Sequence, residues 1–359
     1  MKIVYRYLIS EFIKPLVFST VSFGGLVMIS EFFRELNYFM EKKAGFFYVF
    51  EYLFLNLPWW TIQVLPVSVL LAVLFSLGQF AKQGEITAMK AAGINLWRVI
   101  GILLFCGLLI GAGEAVLREN VIPLTVKLAD KVRKEKIQNE KVDTQTQYND
   151  LVISLPSNAR MTIGGMNAAN GSMSKVVVDY YDGAFNLSRQ IVSDAGVFKN
   201  GEWVFSAGVE REFSGGAWTE QAFAEKALKM PFKPQDFVIE RVRPEQMTTK
   251  EYLRYIGQLE TLGIPSEKEK IIFNLRWSSV FSHIVVMLIG IPFALGLGSK
   301  HGKMLSFSFA LIFAFIYWGF QAVGQSLGEN KVISPLLAAW LGNMVFGAAG
   351  LLMISKIRK

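Results

Sequence analysis

The chain is poor in cysteine, histidine and charge. Among 359 residues there is one cysteine, there are two histidines, and only 18% are charged; typical soluble domains carry about 25%. The single thiol, Cys106, excludes a disulfide or a thiolate metal cluster within the chain and reads as a small buried hydrophobe. The two histidines, His283 and His301, lack acidic partners nearby in sequence, so no metal-ligand cluster forms, and no Ser/His/Asp arrangement is visible. The stretch Gly298-Ser299-Lys300-His301-Gly302-Lys303-Met304 has the glycines and lysine of a phosphate loop without its spacing. Four residues must separate the glycines, and Ser or Thr must follow the lysine.

What is present is apolar. Hydrophobic residues make up 52% of the chain and the mean hydropathy is +0.36. The apolar residues cluster into Pro15–Ile29, Trp59–Phe80, Val99–Gly113, Trp277–Gly298, Met304–Gln325 and Val332–Ile354. Crossing a bilayer takes about 20 helical residues. The first and third runs reach that with their flanks, Phe12–Phe33 and Trp97–Leu117. Lipid offers no partner to an open strand edge, so all six are expected to be helices. The first is expected to be a retained signal anchor, because Ser30-Glu31-Phe32-Phe33-Arg34 is a poor cleavage site.

Six spans put both termini on one side. The loops and ends there hold eleven Lys and Arg (Lys2, Arg6, Lys14, Lys82, Lys90, Arg98, Lys300, Lys303, Lys356, Arg358 and Lys359) against Glu11 and Glu85. The opposite short loops hold four cations against five carboxylates. Positive charge stays inside, so the termini are expected to be cytoplasmic and residues 118–275 to lie outside. Residues 118–276 carry 22 Lys and Arg against 21 Asp and Glu. No cationic patch marks the insert for nucleic acid. The chain therefore divides into spans 1–3 (residues 1–117), an outer domain (118–275) and spans 4–6 (276–359).

From Asp150 to about Glu240 the insert reads as strands. Leu151–Leu155, Lys175–Tyr181, Gln190–Phe198 and Trp203–Ser206 are β-rich, and the spacing predicts an antiparallel sandwich or jelly roll. Lys199-Asn200-Gly201-Glu202 is a two-residue hairpin signal, because Asn-Gly accepts the positive φ of a type I′ turn. Gly164-Gly165, Asn170-Gly171, Asp182-Gly183 and Gly215-Gly216 read as further turns. Trp203, Phe205, Phe213 and Trp218 are candidates for the interior. Residues 119–141 and Lys250–Leu262 read as helices, and Ser266-Glu267-Lys268-Glu269 is a capping box opening another. The sheet is expected to stand on these helical stalks.

The spans hold few polar groups: His283, Gln63, Gln79, Gln321, Gln325 and Asn343, with Glu114 near the outer end of span three and Arg118 one turn later. A proton- or ion-driven transporter carries ionisable groups at mid-membrane, so any work done here is expected to be powered by a partner. Gly107-Leu-Leu-Ile-Gly111 has the spacing of a close helix-packing face, within the chain or between chains. Between spans two and three, Gly84 and Gly93 bracket a short cytoplasmic helix. Ile86, Met89 and Ala92 give it an apolar face, while Lys82, Glu85 and Lys90 are polar. Such a helix could plug a groove on a cytoplasmic protein or lie on lipid.

The segment Gly84-Glu-Ile-Thr-Ala-Met-Lys-Ala-Ala-Gly93 resembles the coupling helix of the lipopolysaccharide export permeases, the LptF/LptG (YjgP/YjgQ) family. Tyr7-Leu8-Ile9-Ser10-Glu11-Phe12, Leu65-Pro66, Tyr317-Trp318-Gly319 and Ala339-Trp340 extend the resemblance along the chain, whose C-terminal half reads closer to the G member. The resemblance implies a six-helix (3+3) α-helical membrane protein with an inserted periplasmic antiparallel β-jelly-roll domain, multi-pass in the inner membrane. It implies one permease half of an ABC transporter, not itself an enzyme and binding no cofactor. The implied partners are a homologous six-helix permease, a cytoplasmic ATPase dimer (LptB-like) that uses ATP and Mg, and a periplasmic jelly-roll bridge (LptC/LptA-like). The cargo would be lipopolysaccharide. Glu85 matches the family's coupling glutamate, with Ile86, Met89 and Lys90 in the same segment, and spans one and five are the gate elements by analogy. Lipid phosphates need cations near the outer surface, where topology places Arg34, Lys42, Lys43, Arg118 and Arg276. The competing reading is a membrane-anchored periplasmic assembly or sensory protein whose spans only hold it; a lipid-modifying enzyme would need convergent acid/base groups that are not seen.

Overall fold

The computed structural model describes residues 2–138, 147–155, 158–167, 169–214, 217–230, 232–234, 243–261, 263–297 and 303–356. Gly215-Gly216, Leu262 and the Gly298–Gly302 stretch with His301 lie outside them. The chain forms two compact units. One comprises Met1–Lys141, Pro244–Thr249 and Glu267–Lys359; the other comprises Val142–Arg243 and Lys250–Ser266.

The first unit is helical. It contains α1 (Lys2–Glu41), α2 (Phe46–Lys82), the short α3 (Glu85–Ala91) and α4 (Leu96–Val116). A π-helical segment, Leu117–Val121, joins α4 to α5 (Ile122–Val132), and a second, Arg133–Ile137, follows. Among the described residues, six helical stretches are long and apolar enough to cross a membrane: Val4–Glu41, Phe46–Lys82, Leu96–Ile137, Glu267–Leu295, Leu311–Glu329 and Pro335–Ser355. Several run far beyond the apolar segments seen in sequence. The 38 residues of Val4–Glu41 reach about 57 Å at 1.5 Å per residue, against a hydrocarbon core of about 30 Å. The apolar run is only the middle of the helix, and charged flanks continue the same helix beyond it.

Three helices complete the set: α7 (Glu267–Leu297), α8 (Lys303–Glu329) and α9 (Pro335–Ser355). The largest core cluster joins Leu70, Leu71, Val73 and Leu77 of α2 to Leu103 of α4 and to Met287 and Ile291 of α7. Phe18 and Val21 of α1, Phe315 of α8 and Leu352 of α9 are more than half exposed. In water such a surface would favour aggregation; in hydrocarbon it is the surface expected. Gly107 and Gly111 set α4 against α7 of the same chain. A Cβ on Gly107 would lie 2.6 Å from Met287 Sδ, and one on Gly111 would overlap the Val280 carbonyl oxygen. This glycine pair thus serves packing within the chain.

The second unit is built on one six-stranded antiparallel sheet whose strands follow in chain order. They are β1 (Gln147–Leu155), β2 (Ala159–Asn167), β3 (Ser172–Tyr181), β4 (Leu187–Lys199), β5 (Glu202–Ser214) and β6 (Ala217–Leu228). Alternation puts one face inside: Ile153, Met161, Ile163, Val176, Val178, Ile191, Trp203 and Phe205 form one buried cluster with Phe232. The Trp203 indole N–H donates to the Phe232 carbonyl at 3.0 Å. The Asn200-Gly201 turn is as expected, with φ of 53° and 87°. At the β3–β4 turn the Asp182 carboxylate accepts the Asn186 and Ala184 N–H groups, each at 2.8 Å. The Asn186 bond foremost holds its pKa below the ordinary carboxylate value.

Two sequence expectations are corrected here. Gly164-Gly165 is not a turn but lies inside β2, where a Cβ on Gly164 would come within 2.9 Å of Lys175 Cβ and one on Gly165 within 2.7 Å of Ser174 Oγ. The glycines permit close approach of β3. Trp218 is not interior: it sits on edge strand β6, is 58% exposed, and lies 5.9 Å from the Arg211 guanidinium. The helix read at Lys250–Leu262 is α6 (Thr249–Thr261). Its Thr249 donates both its N–H and its hydroxyl to Glu119 Oε2, at 3.0 and 2.7 Å.

Candidate functional site

The α3 helix is delimited by backbone conformation. Gly84 and Gly93 have φ of 74° and 76°, and a Cβ on either would meet nothing within 4 Å. Glycine is required there for its left-handed φ, not for space. Between the two, the apolar face turns inward: Ile86 is 8% exposed and joins the α2/α4/α7 core, with Met89 and Ile94 packed beside it. Thr87, Ala88, Lys90 and Ala91 are exposed. Glu85 stands at the first position of the helix, partly exposed, and accepts a hydrogen bond from the Tyr7 hydroxyl at 3.2 Å. Ile86 and, in part, Met89 thus turn toward the protein's own core, while Ala92 just past the helix stays exposed. What α3 offers outward is small and polar.

The five candidate cations fall into two groups. Arg34, near the end of α1, is exposed and pairs with Glu31 and with Glu35, the latter at 3.7 Å. Lys42 and Lys43 are exposed in the turn between α1 and α2. The α2 face that follows carries Phe46, Phe50 and Phe54 one turn apart, with ring centroids 6.3 and 5.1 Å from one another in succession. By contrast, Arg118 donates to Glu114 at 2.7 Å and to Ser279 at 3.2 Å, beside the Trp59 ring at 5.6 Å. Arg276 is 6% exposed; its guanidinium donates to the Met247 and Pro244 carbonyls at 3.0 and 2.5 Å. It ties the chain returning from the insert to α7, so in this conformation both amino groups are engaged by backbone.

Reading along the chain did not reveal that Glu114 and His283 bond one another. His283 Nε2 lies 2.7 Å from Glu114 Oε2, and the two side chains are 0% and 1% exposed. The pattern that could have shown it is Gly107, Gly111 and Glu114, which share one face of α4 at helical spacing, with Arg118 following in the π-helical segment. A second buried polar set joins the last three helices. Tyr317 Oη donates to Asn343 Oδ1 at 2.9 Å, Asn343 Nδ2 to the Ser278 carbonyl at 2.6 Å, and Ser278 Oγ to the Ala339 carbonyl at 2.7 Å. Next to it is a small apolar pocket lined by Pro66, Leu70, Val286, Ile289, Phe313 and Phe346, among others. Its lining suits hydrocarbon rather than a polar ligand.

No curated protein matches the chain. Residues 6–356 match the family described as lipopolysaccharide export system permease LptF/LptG.

Proposed function

Because the chain belongs to the LptF/LptG family of lipopolysaccharide export permeases, we propose that it is one half of an ABC transporter driven by a separate ATPase. Membership makes it a multi-pass transport permease of the inner membrane and not an enzyme. The finer reading is ours. The chain pairs with a second six-helix permease, and a cytoplasmic ATPase dimer supplies the energy from ATP and Mg. Together they extract lipopolysaccharide from the inner membrane and pass it to a periplasmic bridge of β-jelly rolls. Both termini are cytoplasmic and the sheet is periplasmic, as the charge asymmetry of the loops favours.

The geometry of α3 is the observation that carries this reading. A short helix clamped by Ile86 and framed by two left-handed glycines is a rigid stud. With its apolar side inside, it presents Glu85 and Lys90 to a groove on the ATPase. The exposed Lys42 and Lys43, together with Arg34, are suited to phosphates on the lipid, and the phenylalanines that follow are suited to its acyl chains. The edge strand β6, exposed over most of its length, suits strand addition by the bridge.

Co-purification tests the reading. Solubilised gently from its own membrane, the chain should bring down a second six-span protein, a nucleotide-hydrolysing dimer and bound glycolipid. Isolation of the chain alone, with no ATPase under conditions that preserve the fold, would favour an inert anchor instead.

A further inference from the structure

The buried polar cluster on the α4–α7 seam has no place in the mechanism so far. Glu114 accepts Arg118 at 2.7 Å and Ser279 Oγ at 2.8 Å on one oxygen, and faces His283 at 2.7 Å with the other. A carboxylate only accepts, so His283 donates from Nε2; its Nδ1 is buried without a hydrogen-bond partner among the described residues. A buried pair of this kind adds little stability over apolar residues of the same volume. What it adds is direction, and the best-attested use of that is to fix register between helices. At Gly107 and Gly111 the helices approach closely through glycine, methionine and valine.

The cluster also lies at an informative height. Asn95 caps α4 by accepting the Trp97 N–H at 2.9 Å, and only Ala92–Asn95 separate α4 from α3. From Leu96 the helix rises about 27 Å to Glu114. Immediately beyond, at Leu117–Val121, it becomes π-helical, a form common at hinges and functional sites. A push on α3 therefore travels up a regular helix and arrives at the Glu114 level just before that helix loses its regular bonding.

We propose that Glu114 and His283 are positioning residues that pin the axial register of α4 on α7. With the pin in place, a displacement of α3 by the ATPase moves α7; without it, the displacement is lost as slip along the glycine seam. The proposal rests on the coupling role given to α3 above. It assigns these residues no contact with lipid or nucleotide.

The test uses the full chain in its purified complex, reconstituted with lipopolysaccharide. The paired variant Glu114→Leu/His283→Leu keeps volume and removes the carboxylate–imidazole bond, leaving the Arg118–Ser279 contact. If it assembles, ATP hydrolysis should continue while lipid released per ATP falls at least tenfold. Glu114→Gln retains a directional bond to the imidazole through the other tautomer, and should keep at least a third of the parent ratio. If the leucine pair does not assemble, Glu114→Ala is read in its place. A parent-like ratio in the leucine or alanine variant overturns the pin, as does a Glu114→Gln ratio no better than theirs. A second readout does not depend on transport. Nitroxide labels on Leu109 and Trp277, in a Cys106→Ser background, should give one narrow distance in the parent and a broadened one in the leucine pair. An unchanged distribution overturns the pin even if the parent complex moves no lipid, an outcome that would separately overturn the transport reading.

Discussion

Gly111 and Gly107 look equivalent in sequence, yet the structure separates their substitutions sharply. On Gly107 a new Cβ would meet the sulfur of Met287 at 2.6 Å. That atom belongs to an unbranched side chain with three rotatable bonds, which can turn aside. The intrinsic helix preference for Ala over Gly, about 1 kcal/mol, then offsets the repacking, and Gly107→Ala should be close to neutral. On Gly111 the obstacle is the Val280 backbone carbonyl, with Val280 Cγ1 at 3.1 Å and its carbonyl carbon at 3.3 Å. Carbon approaches a carbonyl oxygen to about 3.3 Å, so α4 and α7 must separate by roughly 1 Å. Overpacking of this kind costs about 1–3 kcal/mol. Separation also stretches the Glu114–His283 bond just above, so the loss should fall in the upper half of that range for Gly111→Ala and beyond it for Gly111→Val. Thermal unfolding of each variant in the same detergent is the assay. Equal midpoints for Gly107→Ala and Gly111→Ala would refute the close-packed seam.

Three further outcomes follow from the structure. Trp203→Ala empties a fully buried indole site and should cost about 3–5 kcal/mol, read as lost hydrogen-exchange protection across β3–β5 with the spans unaffected. Partial burial works to raise the pKa of Glu210, but the Lys226 bond and the Arg189 charge outweigh it and hold the carboxyl below its ordinary 4.5. Its contribution to sheet stability is therefore full above that value and lost as pH falls through the lower folded pKa, and Glu210→Gln should flatten this part of the acid profile of β4–β6 protection. Ile86→Ser should unclamp α3, giving faster amide exchange at residues 85–91 and weaker capture of the ATPase; unchanged exchange there would mean that Ile86 does not anchor the helix.

The spans were legible because a bilayer demands long apolar helices, and little else satisfies that demand. The Asn200-Gly201 hairpin was legible because local φ preferences alone dictate it. Strand β6 was not, since Ala217–Leu228 is rich in Ala, Glu, Gln and Lys, and pairing with β5 overrides that preference. Strand β2 was hidden by Gly164-Gly165, whose role as a site of close approach exists only once β3 is beside it. The same holds for the site. Two glycines framed α3 in the sequence, but the inward use of Ile86 depends on a core assembled from α2, α4 and α7. Arg276 looked like a surface cation because its carbonyl partners come from residues 29 and 32 positions earlier. Glu114 and His283 are 169 residues apart, and no local rule joins them.

The most direct measurement of the account is the ratio of lipopolysaccharide released to ATP hydrolysed by the reconstituted complex carrying Glu85→Ala. The carboxylate lies outside the core, so the fold and assembly should survive. If α3 is the stud that receives the ATPase stroke, hydrolysis continues while lipid release falls at least tenfold. Release at the parent rate would contradict the account.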